Sequence, residues 1–311
     1  MGCGKLDSKD AIEKFEENID KDYYTMTGQM DIVSNEELYH YDVAVYHLED
    51  DYYKASLINQ DTKYEQIILK NKDGVYVITP SLNKSFKYQS DWPFNSSQSY
   101  ILESLLHDLE NDSNVILETN ENEYILKSTV NYPNNNSLTS QKITFDENMM
   151  PYLVEVYNDD GIVNITFKIK TLDFETKLTE GDFEVTNQTC SDCYEDVDVS
   201  EETVYPMYLP MGTKFNGEET VNTDSTKRVI LTFGGDKSFT LIEEVSALPN
   251  EFEITTTNGE LVFYENVLGN LTDKSLNWTM DGKNYYLISE DLTNEELLKV
   301  AASTSVMAIP K

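Results

Sequence analysis

The residue types that carry most enzymatic chemistry are scarce in this chain and badly spaced for it. Its 311 residues include three histidines, His40, His47 and His107, and three cysteines, Cys3, Cys190 and Cys193. His40 and His47 fall in a run with strand character and His107 in a helical one. None has an acid partner at a spacing that marks a general base, so all three read as structural or surface residues. Cys190 and Cys193 form a Cys-x-x-Cys pair among acidic residues, which raise a thiol pKa and so oppose redox catalysis. A zinc site would need two further ligands, and no histidine lies close in sequence. A local disulfide or two free thiols in a linker is the expectation. The chain has no Gly-x-Ser-x-Gly elbow, His-Glu-x-x-His, Walker loop or Gly-x-Gly-x-x-Gly. Gly234-Gly235 runs into Asp236-Lys237 and suits a hairpin, while Arg228 is the only arginine, one anion ligand without a cluster. No catalytic residue, metal site or cofactor is expected, and the chain reads as a binding protein rather than an enzyme.

Charge narrows the partners. Lys and Arg number 23 against 57 Asp and Glu, a formal net charge of −34. That field repels phosphate backbones, which excludes nucleic acid, and it does not attract the body of the protein to anionic bilayers. A hydrophobic fraction of 39% with 21 Tyr and 12 Phe still provides for a packed core, and the length suits two domains. Membrane contact would need a tether. Met1-Gly2-Cys3-Gly4-Lys5, followed by polar residues through Asp10, matches the end of a bacterial lipobox, with Cys3 as the acylated residue; a chance cysteine beside a start codon is the alternative. Two acyl chains on one cysteine would anchor stably, at ~0.8 kcal/mol per buried CH₂.

The elements that would position a binding surface follow from periodicity. Ile12, Phe15 and Ile19 behind a Ser8 cap predict an amphipathic helix over 8–20. Period-two alternation then predicts antiparallel strands: Tyr39 to Val45, Tyr53 to Leu57, Gln66 to Lys70 and Val75 to Ile78, the last two joined through Asp73-Gly74. A helix capped from Asn95-Ser-Ser-Gln98 interrupts them. Its Tyr100, Ile101, Leu102, Leu105, Leu106 and Leu109 cover more than one stripe, so it belongs under other elements or over a hollow. Strands resume at 115–118, 124–130, 142–145, 152–157 and 162–169. Residues 186–203 are almost free of apolar side chains, and Glu195, Asp196, Asp198, Glu201 and Glu202 crowd together without calcium-loop spacing, which marks an acidic linker. Beyond it, strands at 227–233, 238–243, 261–264, 276–280 and 285–289 precede a helix with a Thr293/Glu296 capping box.

Particular segments also carry a resemblance. Residues 66–109, with Asp73-Gly74-Val75, Pro80-Ser-Leu-Asn-Lys-Ser85, Gln89-Ser-Asp-Trp-Pro93 and Asn95-Ser-Ser-Gln-Ser-Tyr100 in succession, closely resemble Firmicute lipoproteins of the YdcC type, related to the outer-membrane lipoprotein carrier LolA. The resemblance continues at 141–161, 228–244 and 271–303, about four fifths of the chain, and Cys3 stands where such a lipoprotein has its lipidated cysteine. It implies an α+β chain: a LolA-like unclosed antiparallel β-barrel with a helical plug, followed by a small α+β C-terminal domain. The expected organisation is a lipidated tether at 1–7, the half-barrel at 8–185, the acidic linker at 186–203 and the small domain at 204–311.

In LolA the hollow receives acyl chains, and Val43, Val45, Ile67, Leu69, Trp92, Ile101 and Leu105 are the candidates for an apolar groove here, with ordinary core packing as the competing reading for each. Ferrying between membranes is disfavoured, because Cys3 would fix the protein at one membrane and the first domain has no arginine to hold cargo. Relatives of this type include the germination lipoprotein GerS, the partner of a cortex amidase. The resemblance therefore implies a lipid-anchored, extracytoplasmic protein of the sporulation, germination or cell-envelope class that binds a peptidoglycan amidase, another envelope protein or an acyl group. A carrier with an apolar cavity of several hundred Å³ and an envelope-stress sensor regulating a sigma factor are the rival expectations.

Overall fold

A computed structural model describes residues 6–49, 51–89, 96–120, 122–188, 202–223, 226–246 and 252–306. Helix α1 (Ser8–Ile19) leads into β1 (Tyr23–Ser34), β2 (Glu37–Leu48), β3 (Tyr52–Asn59), β4 (Glu65–Asn71), β5 (Gly74–Thr79) and β6 (Lys84–Tyr88). Helix α2 (Leu102–Asn111) follows, then β7 (Ile116–Thr119), β8 (Tyr124–Thr129), β9 (Leu138–Phe145), β10 (Pro151–Asn158) and β11 (Val163–Asp173). The C-terminal part holds β12 (Val204–Pro206), β13 (Thr213–Asn222), β14 (Thr226–Gly235), β15 (Phe239–Ser246), β16 (Glu253–Thr257), β17 (Glu260–Tyr264), β18 (Val267–Thr272), β19 (Ser275–Met280), β20 (Lys283–Ile288), α3 (Asn294–Ala302) and β21 (Thr304–Val306).

Twelve strands make one sheet in the order β16-β6-β5-β4-β3-β2-β1-β11-β10-β9-β8-β7. Two meanders meet at β1, which pairs β2 on one side and β11 on the other. The sheet does not close, because its terminal strands β16 and β7 each pair on one side only. One face is a continuous apolar surface, and α1 and α2 cover it. Phe15 of α1 packs edge-on against Phe145 of β9 at 5.1 Å, and Leu102, Leu105 and Leu109 of α2 join the same cluster as Met26, Met30, Val43, Val45, Leu57 and Ile68. Burying each such side chain is worth roughly 1.5–3 kcal/mol, which holds helices this short in place.

The opposite face is covered more locally. Ile67 and Leu69 of β4 and Tyr76 and Ile78 of β5 pack with Val185 and Phe252. A second, seven-stranded antiparallel sheet runs β13-β14-β15-β20-β19-β18-β17, with α3 on β18 and β19 and a β12/β21 pair beside it. Within it Lys283 Nζ lies 3.2 Å from Glu243 Oε2, both nearly inaccessible, and Val204 N–H donates to the same carboxylate, so the pair pins the start of β12 to the sheet.

A strand and a seam join the C-terminal part to the large sheet. β16 leaves the C-terminal part to pair parallel with β6 at the edge of the large sheet. Thr79 and Thr279 hydroxyls meet at 2.9 Å, Asn35 Nδ2 donates to Ala302 O at 3.0 Å, and Leu268 of β18 is buried in the main core.

Two caps differ from expectation. Asp7, not Ser8, caps α1 by accepting from Asp10 N–H at 2.9 Å. α2 starts only at Leu102, with Ile101 at its N-cap and no side-chain cap bond; Ser97 instead donates its hydroxyl to Asp108. The Thr293/Glu296 capping box of α3 forms as expected.

The centre of the large sheet is a strand with no sequence prediction behind it. In β1, Tyr24, Met26, Met30 and Ile32 point into the core, and Gly28 stands where a fifth inward side chain belongs. A Cβ there would lie 2.5 Å from the Phe167 ring and 2.6 Å from Lys168 O. Gly28→Ala is therefore expected to destabilise the protein by about 1–3 kcal/mol, the usual cost of overpacking. Urea unfolding checks this: the midpoint should fall at constant m, and an unchanged midpoint would show that β1 and β11 can separate freely at that point.

Candidate functional site

α1 and α2 fill the apolar face of the large sheet, and a cleft lies beside the loop that leads into α2. A mainly apolar cleft of about 90 Å³ lies between the two sheets, at the end of β1 and the start of β11. Its walls are the 96–100 loop before α2, the 132–135 loop between β8 and β9, and residues 260–263 of β17. Tyr100 and Phe263 meet edge to face across the junction, with ring centroids 6.5 Å apart. Asn164 contributes an Oδ1 that is buried with no hydrogen-bond partner, a position that costs about 1–3 kcal/mol when unsatisfied.

A buried carboxyl fixes the cleft's loops. Asp108 of α2 is 8% exposed; Ser97 Oγ donates to its Oδ1 at 2.9 Å and Gln141 Nε2 to its Oδ2 at 3.0 Å. Asn131 N–H in turn donates to Ser97 Oγ, and Ser97 N–H to Asn131 O, both at 2.7 Å. One side chain thus ties α2, β9 and both loops together. Burial pushes the Asp108 carboxyl up to about 6, against the lowering effect of those hydrogen bonds and of nearby His107.

A second polar cluster sits at the other end of β1. Tyr24 OH donates to Glu103 Oε2 at 2.9 Å, and His47 Nε2 lies 3.8 Å from Glu103 Oε1. His47 packs between the Tyr24 and Tyr53 rings, and burial beside Glu103 pushes the Tyr24 hydroxyl well above its ordinary range. His40 Nδ1 meets Asp31 Oδ1 at 2.6 Å in direct cross-strand register. Both histidines therefore have acid partners that sequence spacing does not reveal; His107 is exposed. Among the described residues, no group of three or more His, Cys, Asp or Glu is placed to hold a metal ion.

Of the groove candidates, Val43, Val45, Ile101 and Leu105 lie in the main core at 0–2% exposure, under the helices rather than along the cleft. Ile67 and Leu69 point to the opposite face, and their neighbour Ile68 is the one that reaches the cleft. Trp92, Cys3, Cys190 and Cys193 lie outside the described residues. The residues that do form the site, such as Met30, Tyr132, Asn164 and Phe263, were not singled out. The one visible sign was the loop Asn131-Tyr-Pro-Asn-Asn-Asn136, whose aromatic and amide content exceeds what a turn needs.

The sporulation protein YdcC of Bacillus subtilis (strain 168) is 37% identical to this chain over 309 residues, covering 97% of the chain and 91% of that protein. The chain belongs to the YdcC family. No family model matches it. Solved structures similar in outline to this YdcC-family protein include the complex of Pseudomonas aeruginosa MucA/MucB, at 12% identity, 97% and 99% coverage and a TM-score of 0.36. The CwlD amidase from Clostridioides difficile in complex with the GerS lipoprotein matches at 17% identity, 57% and 100% coverage and a TM-score of 0.32. A LolA superfamily protein from Nitrosomonas europaea matches at 14% identity, 58% and 98% coverage and a TM-score of 0.32.

The Asp108 network makes stability depend on pH. Its folded-state pKa lies above the unfolded value, so the protonated carboxyl favours folding. That contribution is complete below about 3.8 and is lost as pH rises through about 6. A shift of about two units corresponds to something on the order of 3 kcal/mol. Asp108→Asn removes the titration, so unfolding free energies measured between pH 4 and 7 should show the variant gaining on the parent protein by an amount of that order. Parallel profiles would mean that Asp108 is ionised at no cost in the folded protein.

Proposed function

We propose that this YdcC-family protein is an extracytoplasmic lipoprotein that acts by binding a protein of the sporulating cell envelope, held at the membrane through acylated Cys3. The observation that carries the reading is the filled concave face. Small-molecule and lipid pockets enclose roughly 300–1,000 Å³, whereas side chains of α1 and α2 occupy this concavity and leave a cleft of about 90 Å³ at the sheet junction. That volume is too small to enclose an acyl chain and is open to a group presented by a larger partner.

The kinship with a sporulation protein supports the cellular setting. The Gly2-Cys3-Gly4 motif supports the tether, and among the described residues no helix is long and apolar enough to cross a membrane. A peptidoglycan amidase is the partner class that the GerS resemblance suggests, with other envelope proteins beside it.

Purification of the full-length protein from sporulating cells, with and without Cys3→Ala, tests the reading. The parent should sediment with membranes and the variant should not. Chemical cross-linking should trap the parent with one envelope protein in near-stoichiometric amount. Extractable lipid at about one molecule per chain from the Cys3→Ala protein, where no covalent acyl group remains, would reverse the conclusion in favour of a carrier.

A further inference from the structure

Opposite the inward face of β1, the cleft is bordered by the backbone edge of a strand. β17 is the terminal strand of the seven-stranded sheet; it pairs with β18 on one side, and among the described residues no strand lies on the other. Four consecutive residues of β17, Glu260 to Phe263, line the cleft. Alternate residues of a strand point to opposite faces, so a cavity touching four in succession lies along the edge, where N–H and C=O groups project. An edge of five residues, about 17 Å at 3.3 Å per residue, is long enough to template a partner strand.

The chemistry of the walls restricts what that strand carries. The charged side chains of the lining are Glu260 and Glu265, both acidic. Glu265 accepts from the Ser34 hydroxyl, while Glu260 is exposed. The Asn164 Oδ1 is an acceptor without a donor. Met30, Ile32, Leu261 and Phe263 supply apolar wall, and the 96–99 and 132–135 loops add uncharged polar groups. An engineered cavity of about 150 Å³ holds a benzene molecule, so about 90 Å³ fits one aliphatic side chain.

The geometry points to β-strand addition at β17 by an extended peptide segment of a partner protein. One apolar side chain of the segment seats in the cleft, and a basic neighbour lies against Glu260. This rests on the protein-binding reading above and names the class of ligand at the same site. The net charge of −34 adds a general attraction for such a segment, and the cleft and the edge supply the selection.

Fluorescein-labelled octapeptides titrated against the intact protein at physiological salt provide the test. A Val-Lys repeat should bind at least about tenfold more tightly than a Ser-Lys repeat, which keeps the charge, and than a Val-Glu repeat, which keeps the apolar residues. Two further Val-Lys peptides, N-methylated at the valines or at the lysines, read out main-chain pairing. One should lose about tenfold or more and the other stay within about twofold, because alternate N–H groups of an added strand point away from its partner. Glu260→Gln, at an exposed position that leaves folding intact, should weaken the Val-Lys peptide about two- to fivefold. Equal binding of the Ser-Lys and Val-Lys repeats would reduce the effect to surface charge. Equal tolerance of both methylation patterns would eliminate strand addition, and absence of any binding would overturn the inference outright. If full-length protein still cross-links to an envelope partner in that case, the binding function stands and only this mode of recognition falls.

Discussion

An apolar sheet face that does not seal against itself must be sealed by something else. That constraint organises the protein. Curling into a closed barrel would have satisfied it, but the terminal strands β7 and β16 never meet, so the face carrying Met26, Val43, Leu57 and Ile68 depends on α1 and α2. Neither helix is long enough to be stable alone, and both exist because that face needs a cover. The same dependence places the cleft, which opens before α2 begins, beside the loop leading into it. The interior is a filled core, and the cleft lies at its rim.

The rim has a fixed shape because the second sheet is attached through main chain as well as side chains. Interfaces between domains of one chain commonly permit relative motion. Here β16 is hydrogen-bonded into the first sheet beside β6, Leu268 is buried in the first core, and the Thr79–Thr279 contact closes the seam between them. Residues 253–257 thus belong structurally to the large sheet, although they follow the acidic stretch. β17 begins three residues later, and that short connection holds its free edge across the cleft from the 132–135 loop. A binding edge held this way does not have to be ordered when a ligand arrives, which favours affinity.

How much of this was legible in the sequence depended on whether the deciding interaction was local. The α3 capping box and the Asn71-Lys-Asp-Gly74 hairpin are set by residues a few positions apart, and both were read correctly. β1 was missed because Gly28 and the threonines around it break the apolar alternation; the demand for Gly28 comes from Phe167, 139 positions away on β11. In β4 the residues Ile67, Ile68 and Leu69 are all buried because both faces are covered, and alternation then no longer distinguishes inside from outside. Ile68 reaches the cleft, while Ile67 and Leu69 pack on the opposite face. The acid partners of His40 and His47 are supplied across strands and from a distant helix, so spacing along the chain could not show them. The cleft itself is a product of three segments whose meeting no single stretch of sequence encodes.

The buried polar groups follow one pattern, and it bears on what the cleft can do. Glu103 is engaged by Tyr24 and His47, Glu243 by Lys283 and the Val204 amide, Asp108 by Ser97 and Gln141. Each joins elements distant in sequence, and each is satisfied from within the protein, which is what buried charge requires to be tolerable. Asp108 lies nearest the cleft, yet its oxygens are taken up by Ser97 of the framing loop and Gln141 of β9. The polar groups left to meet a ligand are of another kind: amides, an exposed carboxylate and a row of main-chain groups along β17. Such groups recognise an extended backbone by hydrogen bonding and discriminate among sequences through what fits beside it. The acidic surface would act earlier, raising the rate at which a basic segment arrives, while the cleft determines how long it stays.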